Sequence, residues 1–335
     1  MDTTTFSSQY SSDEYGRTPL QALFPEISLP RPVRFWLLLI LLIPSILFTL
    51  ILLYYFIRDR SLRSPLNNHV IIVLLIVNFH GLMIGFPIQL NFLHLGHVWP
   101  QIPTTCLAWQ FSDIGIFTTT GIIMAWASIE RHILIFHDQW VSSRRKCFLF
   151  HYLPLVIIIV YGLIFYTYVI CFPPCQQLFI YSINWCTTPC FTTIQRITMY
   201  GTITNAILMT FIIVFFSIFL LVRVIRQKRE LNQRFEWRKL RKTAIQLLSI
   251  SALFFFLMLP TVVISLAEVC GLGKNALGQF KLYIYFTRYF LPLLLPFVCF
   301  RALPEVSTKL KRLIICRHQI HTNTITPTLI SMRPK

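Results

Sequence analysis

The chain has 335 residues, 55% hydrophobic and only 13% charged, with 30 Phe, a mean hydropathy of +0.64 and a net charge of +18. A soluble domain carries about a quarter charged residues, so this composition excludes most soluble enzymes and secreted disulfide scaffolds. The basic excess does not indicate a nucleic-acid partner, because its charges fall between apolar runs instead of covering one face of a soluble fold.

In chain order, about 34 residues rich in Ser, Thr and Pro come first, with Asp2, Asp13, Glu14 and Glu26. They hold no apolar core of a signal peptide and read as a disordered arm, 1–34. Seven apolar stretches follow, at about 35–57, 66–90, 107–129, 148–170, 197–222, 244–267 and 280–300. Each reaches the roughly 20 residues that a helix needs to cross the hydrocarbon core. Barrel strands are shorter and alternate in polarity. The expected fold is therefore an all-α membrane protein, a seven-transmembrane helix bundle spanning 35–301. No internal repeat is visible, which weakens an inverted-repeat transporter reading.

Of the 30 Lys and Arg, 23 fall in 58–65, 130–147, 223–243 and 301–335. Basic loops stay cytoplasmic, so the N-terminus is expected outside and the C-terminus inside, in the plasma membrane. Six of the nine cysteines (Cys106, Cys171, Cys175, Cys186, Cys190 and Cys270) then lie on or near the outer face, where the secretory route permits disulfides. There is no Asn-x-Ser/Thr sequon.

The third stretch begins near Cys106 and ends in Ala127-Ser128-Ile129-Glu130-Arg131-His132. The 25-residue interval from Cys106 to Arg131 is about 37 Å of helix, one tilted crossing. The sixth carries Phe254 and Pro260 in Phe254-Phe255-Phe256-Leu257-Met258-Leu259-Pro260, and the seventh carries Pro296. With the topology, these residues resemble a rhodopsin-like (class A) G-protein-coupled receptor, in divergent form. Glu130-Arg131-His132 stands where the family has Asp/Glu-Arg-Tyr. Leu257 and Met258 replace the Cys and Trp of helix 6, and Leu295 and Cys299 replace the Asn and Tyr of helix 7. Asn78 replaces the usual Asp of helix 2, and helix 5 has no Pro.

The resemblance implies that Arg131 helps to couple a heterotrimeric G protein, with Glu130 holding it by an internal ion pair. It also implies that Asn78, Phe254, Pro260 and Pro296 act in the helix switch. Residues 302–316 read as the amphipathic interfacial helix 8, with Cys316 as a palmitoylation site, and 317–335 as the cytoplasmic tail. Family members tie outer loop 2 to helix 3, which points to Cys106 with Cys186 or Cys190, and a second bridge from Cys175 to the other.

The ligand cavity is expected around Trp109, Asp113, Phe117, Met258 and Arg288. Asp113 lies about 10 Å below Cys106 and Arg288 at a similar depth in helix 7. Asp113 occupies the ammonium-binding position of amine receptors. The preferred reading is an internal Asp113–Arg288 ion pair, because an isolated charge in the bundle is costly. The expected partners are an extracellular ligand of unknown identity, a G protein and the lipid bilayer, without nucleic acid, metal or cofactor. The rivals are a membrane transporter or channel, or a receptor-like protein without G-protein signalling. Helices 5 and 6 have no charge within 197–222 or 244–267, which weakens a transport path. His69 and His80 have no carboxylate near them in sequence, so no catalytic centre is expected.

Overall fold

The structure, a computed structural model, describes residues 26–230, 234–273, 277–303, 306, 308 and 309, without the side chains of 67, 138, 227–247 and 302. Seven helices are long and apolar enough to cross a membrane: α1 Arg31–Arg58, α2 Asn68–Leu95, α3 Pro103–Phe136, α4 Arg144–Cys171, α5 Gln195–Arg226, α6 Leu248–Val269 and α7 Gly278–Arg301. No strand occurs among the described residues. Several helices outrun their apolar stretches. α3 continues through Glu130, Arg131 and His132 to Phe136 because polar residues still close i to i−4 bonds once the hydrocarbon ends. α1 likewise starts at Arg31, inside the segment expected to be a disordered arm.

α3 is the axis of the bundle: 61% of its membrane segment is buried, against 28% for α1 and for α4. It packs on α2, α4, α5 and α6, while α7 closes the ring against α1 and α6. The main core runs through Leu74, Ile123, Ile213, Phe254, Met258 and Leu295. Outward-facing Ile40, Ile57, Ile164, Phe211 and Phe256 are exposed. Such an apolar exterior is stable only in lipid, where helices satisfy every backbone group internally.

Two local departures from α-helix geometry shape the interior. α2 widens into a π-helical turn at Gly81–Gly85 and α3 at Phe111–Ile116, and these two turns face each other. A Cβ on Gly85 would stand 3.0 Å from the Ser112 Cβ and 3.4 Å from Asp113 Oδ1, so glycine permits this approach. α7 breaks at Arg288–Tyr289, between the helical stretches Gly278–Thr287 and Phe290–Ala302. Pro292 is the cause. It has no N–H for the Arg288 carbonyl, and its ring would clash with that carbonyl in a straight helix. The carbonyl takes the Leu291 N–H instead, at 3.1 Å.

The described residues before α1, 26–30, are tied down. The Ser28 N–H donates to Gln279 Oε1 (2.9 Å), Ser28 Oγ lies 2.7 Å from the Tyr283 hydroxyl, and Gln279 Nε2 donates to the Glu26 carbonyl (2.8 Å). Glu26 also pairs with Arg31 (2.8 Å) and Arg34 (2.7 Å). Burial pushes the Glu26 carboxyl up, but the bonds and charges of Arg31 and Arg34 outweigh it and hold the group below the ordinary glutamate range. Of the segment expected as helix 8, only Ala302, Leu303, Val306, Thr308 and Lys309 are described; Lys309 pairs with Asp59, and Cys316 lies outside the described residues.

Candidate functional site

A cavity lies between α2, α3 and α7, with about 600 Å³ of empty space when the open solvent at its mouth is included. The two π-turns and the break in α7 supply much of its wall: Gly81 from α2, Asp113 and Ile116 from α3, and Arg288 and Tyr289 from α7. Trp185, from the loop 172–194, reaches in from the Cys106 end.

Asp113 is the polar centre. Its Oδ2 accepts the Trp185 indole N–H at 2.6 Å and the Tyr289 hydroxyl at 2.7 Å. The same hydroxyl lies 2.9 Å from Gln89 Oε1. It has one proton to give, and the carboxylate is the stronger acceptor. Arg288 does not meet Asp113. Its guanidinium lies 4.4 Å over the Phe117 ring and 6.0 Å from that of Tyr285. The two charges line one cavity without forming the expected ion pair, because neutral donors reach the carboxylate first and aromatic faces hold the cation.

Two other residues expected in the cavity are elsewhere. Trp109 is fully buried against Phe92, with ring centroids 5.5 Å apart. The π-turn between Trp109 and Phe117 inserts an extra residue into the repeat and rotates the indole off the Asp113 face. Met258 packs into the main core beside Phe254 instead of lining the cavity. Phe117 does line it, with Asn78 and Pro292 at its deeper end.

The loop that carries Trp185 is fixed at several points. Cys106 bonds Cys186, and Cys175 bonds Cys190, which resolves the pairing that the sequence left open. Buried Gln110 donates from Nε2 to the Trp185 carbonyl (2.9 Å) and accepts from Gln177 Nε2 (2.9 Å). Trp185, Cys186 and Thr187 all have positive φ (58°, 55° and 98°). That conformation disfavours side chains, above all a β-branched one, and the disulfide and the Gln110 bonds enforce it.

Asn78 links cavity and core. Its Nδ2 donates to the Pro292 carbonyl at 3.0 Å. In a regular helix that carbonyl would take the N–H of residue 296, but residue 296 is proline. Asn78 therefore satisfies the acceptor that Pro296 leaves open. Phe254 is buried in the main core, and Pro260 and Pro296 both lie inside helices.

At the far end of α3, Glu130 and Arg131 are almost fully buried, 1% and 2% exposed. Glu130 is held from α4, where it pairs with His151 Nδ1. His151 Nε2 lies 3.1 Å from His69 Nδ1, and the Tyr152 hydroxyl lies 3.3 Å from the same His69 nitrogen. A carboxylate thus stands at the end of a two-histidine chain, an arrangement that sequence distance concealed. His151, inside an apolar run, was its only signal. His132 turns the other way, with Nε2 3.3 Å from Arg223, whose guanidinium lies 4.1 Å over the Phe136 ring.

Residues 49–299 match the family model described as 7 transmembrane receptor (rhodopsin family). The chain belongs to that family. A comparison of the sequence with curated proteins finds no match. The seven helices are accordingly those of a rhodopsin-family receptor, and in it the adjacent residues Glu130 and Arg131 are buried, with Glu130 paired to His151. In this receptor, family positions in helices 2, 6 and 7 carry substitutes, and Asn78 works as a backbone acceptor's partner.

Proposed function

We propose that this receptor lies in the plasma membrane with the Cys106 end outside, and that it transduces binding of an extracellular ligand to a heterotrimeric G protein at the Arg131 end. One observation carries the reading: α3 bears at one end a cavity that holds Asp113 and Arg288, and at the other the buried Glu130 and Arg131 followed by His132. The excess of basic residues in 58–65, 130–147, 223–243 and 301–335 supports the orientation.

In this reading the ligand enters among Asp113, Phe117 and Arg288 and acts on α7 at its break. α7 moves against α2 through the Asn78–Pro292 bond, and α6 bends at Pro260. The inner ends then separate and Arg131 becomes available to the G protein. The ligand shifts the equilibrium only by its differential affinity for the two states. The chain after α7 lies on the cytoplasmic side, where Cys316 carries a palmitoyl chain, and the chain before α1 lies outside the cell.

The test is a G-protein dissociation assay in cells over a ligand library, with Arg131→Ala as control. An active compound should lose its effect in Arg131→Ala at equal surface expression. Equal responses in both proteins would refute the coupling role. An epitope tag at residue 5 should be accessible on intact cells and one at residue 330 should not; the reverse pattern would refute the orientation.

A further inference from the structure

Arg288 has five N–H donors in the cavity, and no hydrogen bond or ion pair reaches them among the described residues; its guanidinium is supported only by the faces of Phe117 and Tyr285. The cavity's one carboxylate, Asp113, is already engaged, with two donors on Oδ2. Of the other polar side chains in the wall, Asn78 donates to the Pro292 carbonyl and Thr120 to the Ile116 carbonyl, while the buried Ser112 hydroxyl has no partner among the described residues. Much of the remaining wall is Phe86, Ile116, Phe117 and Leu291.

We propose that the ligand is a monoanionic carboxylate on an apolar, preferably aromatic, body, with its carboxylate on Arg288. This rests on the reading of the cavity as the ligand site. A guanidinium stacked on rings keeps its planar edge free, and that edge matches a carboxylate through two parallel N–H···O bonds. An ammonium ligand meets the opposite situation. The Asp113 oxygen that faces Trp185 and Tyr289 is occupied, and Arg288 repels a second cation. The Asp113 charge sets the limit of one negative charge on the ligand. A phosphate monoester would bring nearly two beside it.

The test uses an isosteric set, phenylpropionate, phenylpropylamine and phenylpropanol, with phenyl phosphate as a fourth probe. Thermal unfolding of the purified receptor in lipid nanodiscs is followed against the concentration of each. Phenylpropionate should raise the melting temperature saturably, and the other three should not. Arg288→Gln should weaken phenylpropionate binding about ten- to a hundredfold, the weight of a charge-assisted pair. Arg288→Lys, which keeps the charge but not the fork, should retain part of the binding. If Arg288→Gln does not fold, the four probes on the parent and on Arg288→Lys still decide the matter. Stabilisation by the amine or the phosphate, by all probes alike, or by none overturns the proposal, as does an unchanged response in a folded Arg288→Gln. Because the readout needs no G protein, stabilisation by phenylpropionate without G-protein release upholds this ligand class and counts against coupling alone. G-protein release by amines only upholds the receptor and overturns the carboxylate.

Discussion

Gly162 on α4 packs against Thr119 of α3, and replacing it with alanine should drive the two helices apart. A Cβ there would stand 2.2 Å from Thr119 Oγ1, 2.8 Å from Cγ2 and 3.0 Å from Cβ, where ordinary contact begins at 3.4 Å. Thr119 cannot step aside. It is buried, it is β-branched, and its hydroxyl donates to the Gly115 carbonyl at 2.7 Å. Relief therefore needs a separation of roughly 1 Å between two backbones, overpacking that costs about 1–3 kcal/mol. The better helix propensity of alanine returns at most about 1 kcal/mol. Gly162→Ala should be destabilised by about 1–2 kcal/mol, read as an earlier unfolding transition of the purified receptor. Thr119→Ala removes the two nearest atoms, Oγ1 and Cγ2, and leaves only Cβ at 3.0 Å, so Gly162→Ala with Thr119→Ala should recover most of the loss, a clearly non-additive result. Because α3 carries both Asp113 and Arg131, the single variant should weaken ligand binding too. A Gly162→Ala protein as stable as the parent, or a double variant at least as unstable as the two losses added, would refute the packing argument.

Removing His151 strands the buried Glu130. His151→Phe should cost about 3–5 kcal/mol in denaturant titrations, and Glu130→Gln in the same chain should restore much of it; a double variant whose loss equals the sum of the two single losses would show that the pair is not coupled. Cys106→Ser opens a link of sequence separation 80 and Cys175→Ser one of 15; each should cost about 2–5 kcal/mol, but only Cys106→Ser should also weaken ligand binding, because it frees Trp185. The depressed Glu26 carboxyl stabilises the docked segment above the ordinary glutamate pKa of about 4.3, and this contribution is lost as pH falls through the lower folded value. Hydrogen-exchange protection at residues 26–29, corrected for the intrinsic rate, should therefore fall in the parent as pH drops through the depressed Glu26 value, and Glu26→Gln should show low protection already at neutral pH.

The seven helices were legible because apolar runs long enough to span a bilayer have few other uses in a chain. Cys106, Glu130 and Arg131 were legible because one crossing of α3 fixes their separation. Depth in the membrane could also be read, since rise per residue is constant, and Asp113 and Arg288 do line one cavity. Azimuth could not. The π-turn at Phe111–Ile116 rotates Trp109 out of the site, and the break caused by Pro292 aims Arg288 at Phe117. Neither the Trp185 cap on Asp113 nor the His151 partner of Glu130 follows from spacing, because each joins segments more than twenty residues apart.

Trp185 is the neighbour of a cysteine bonded to α3, and its own carbonyl is held by Gln110. The main chain there cannot swing away as a flap. The indole alone turns, on its own side-chain torsions, once its bond to Asp113 breaks. On the proposed ligand site, such a latch would have one small moving part: a molecule lodged behind the indole would leave no faster than its hydrogen bond to Asp113 opens, and its residence time would be set by the latch as well as by its own fit.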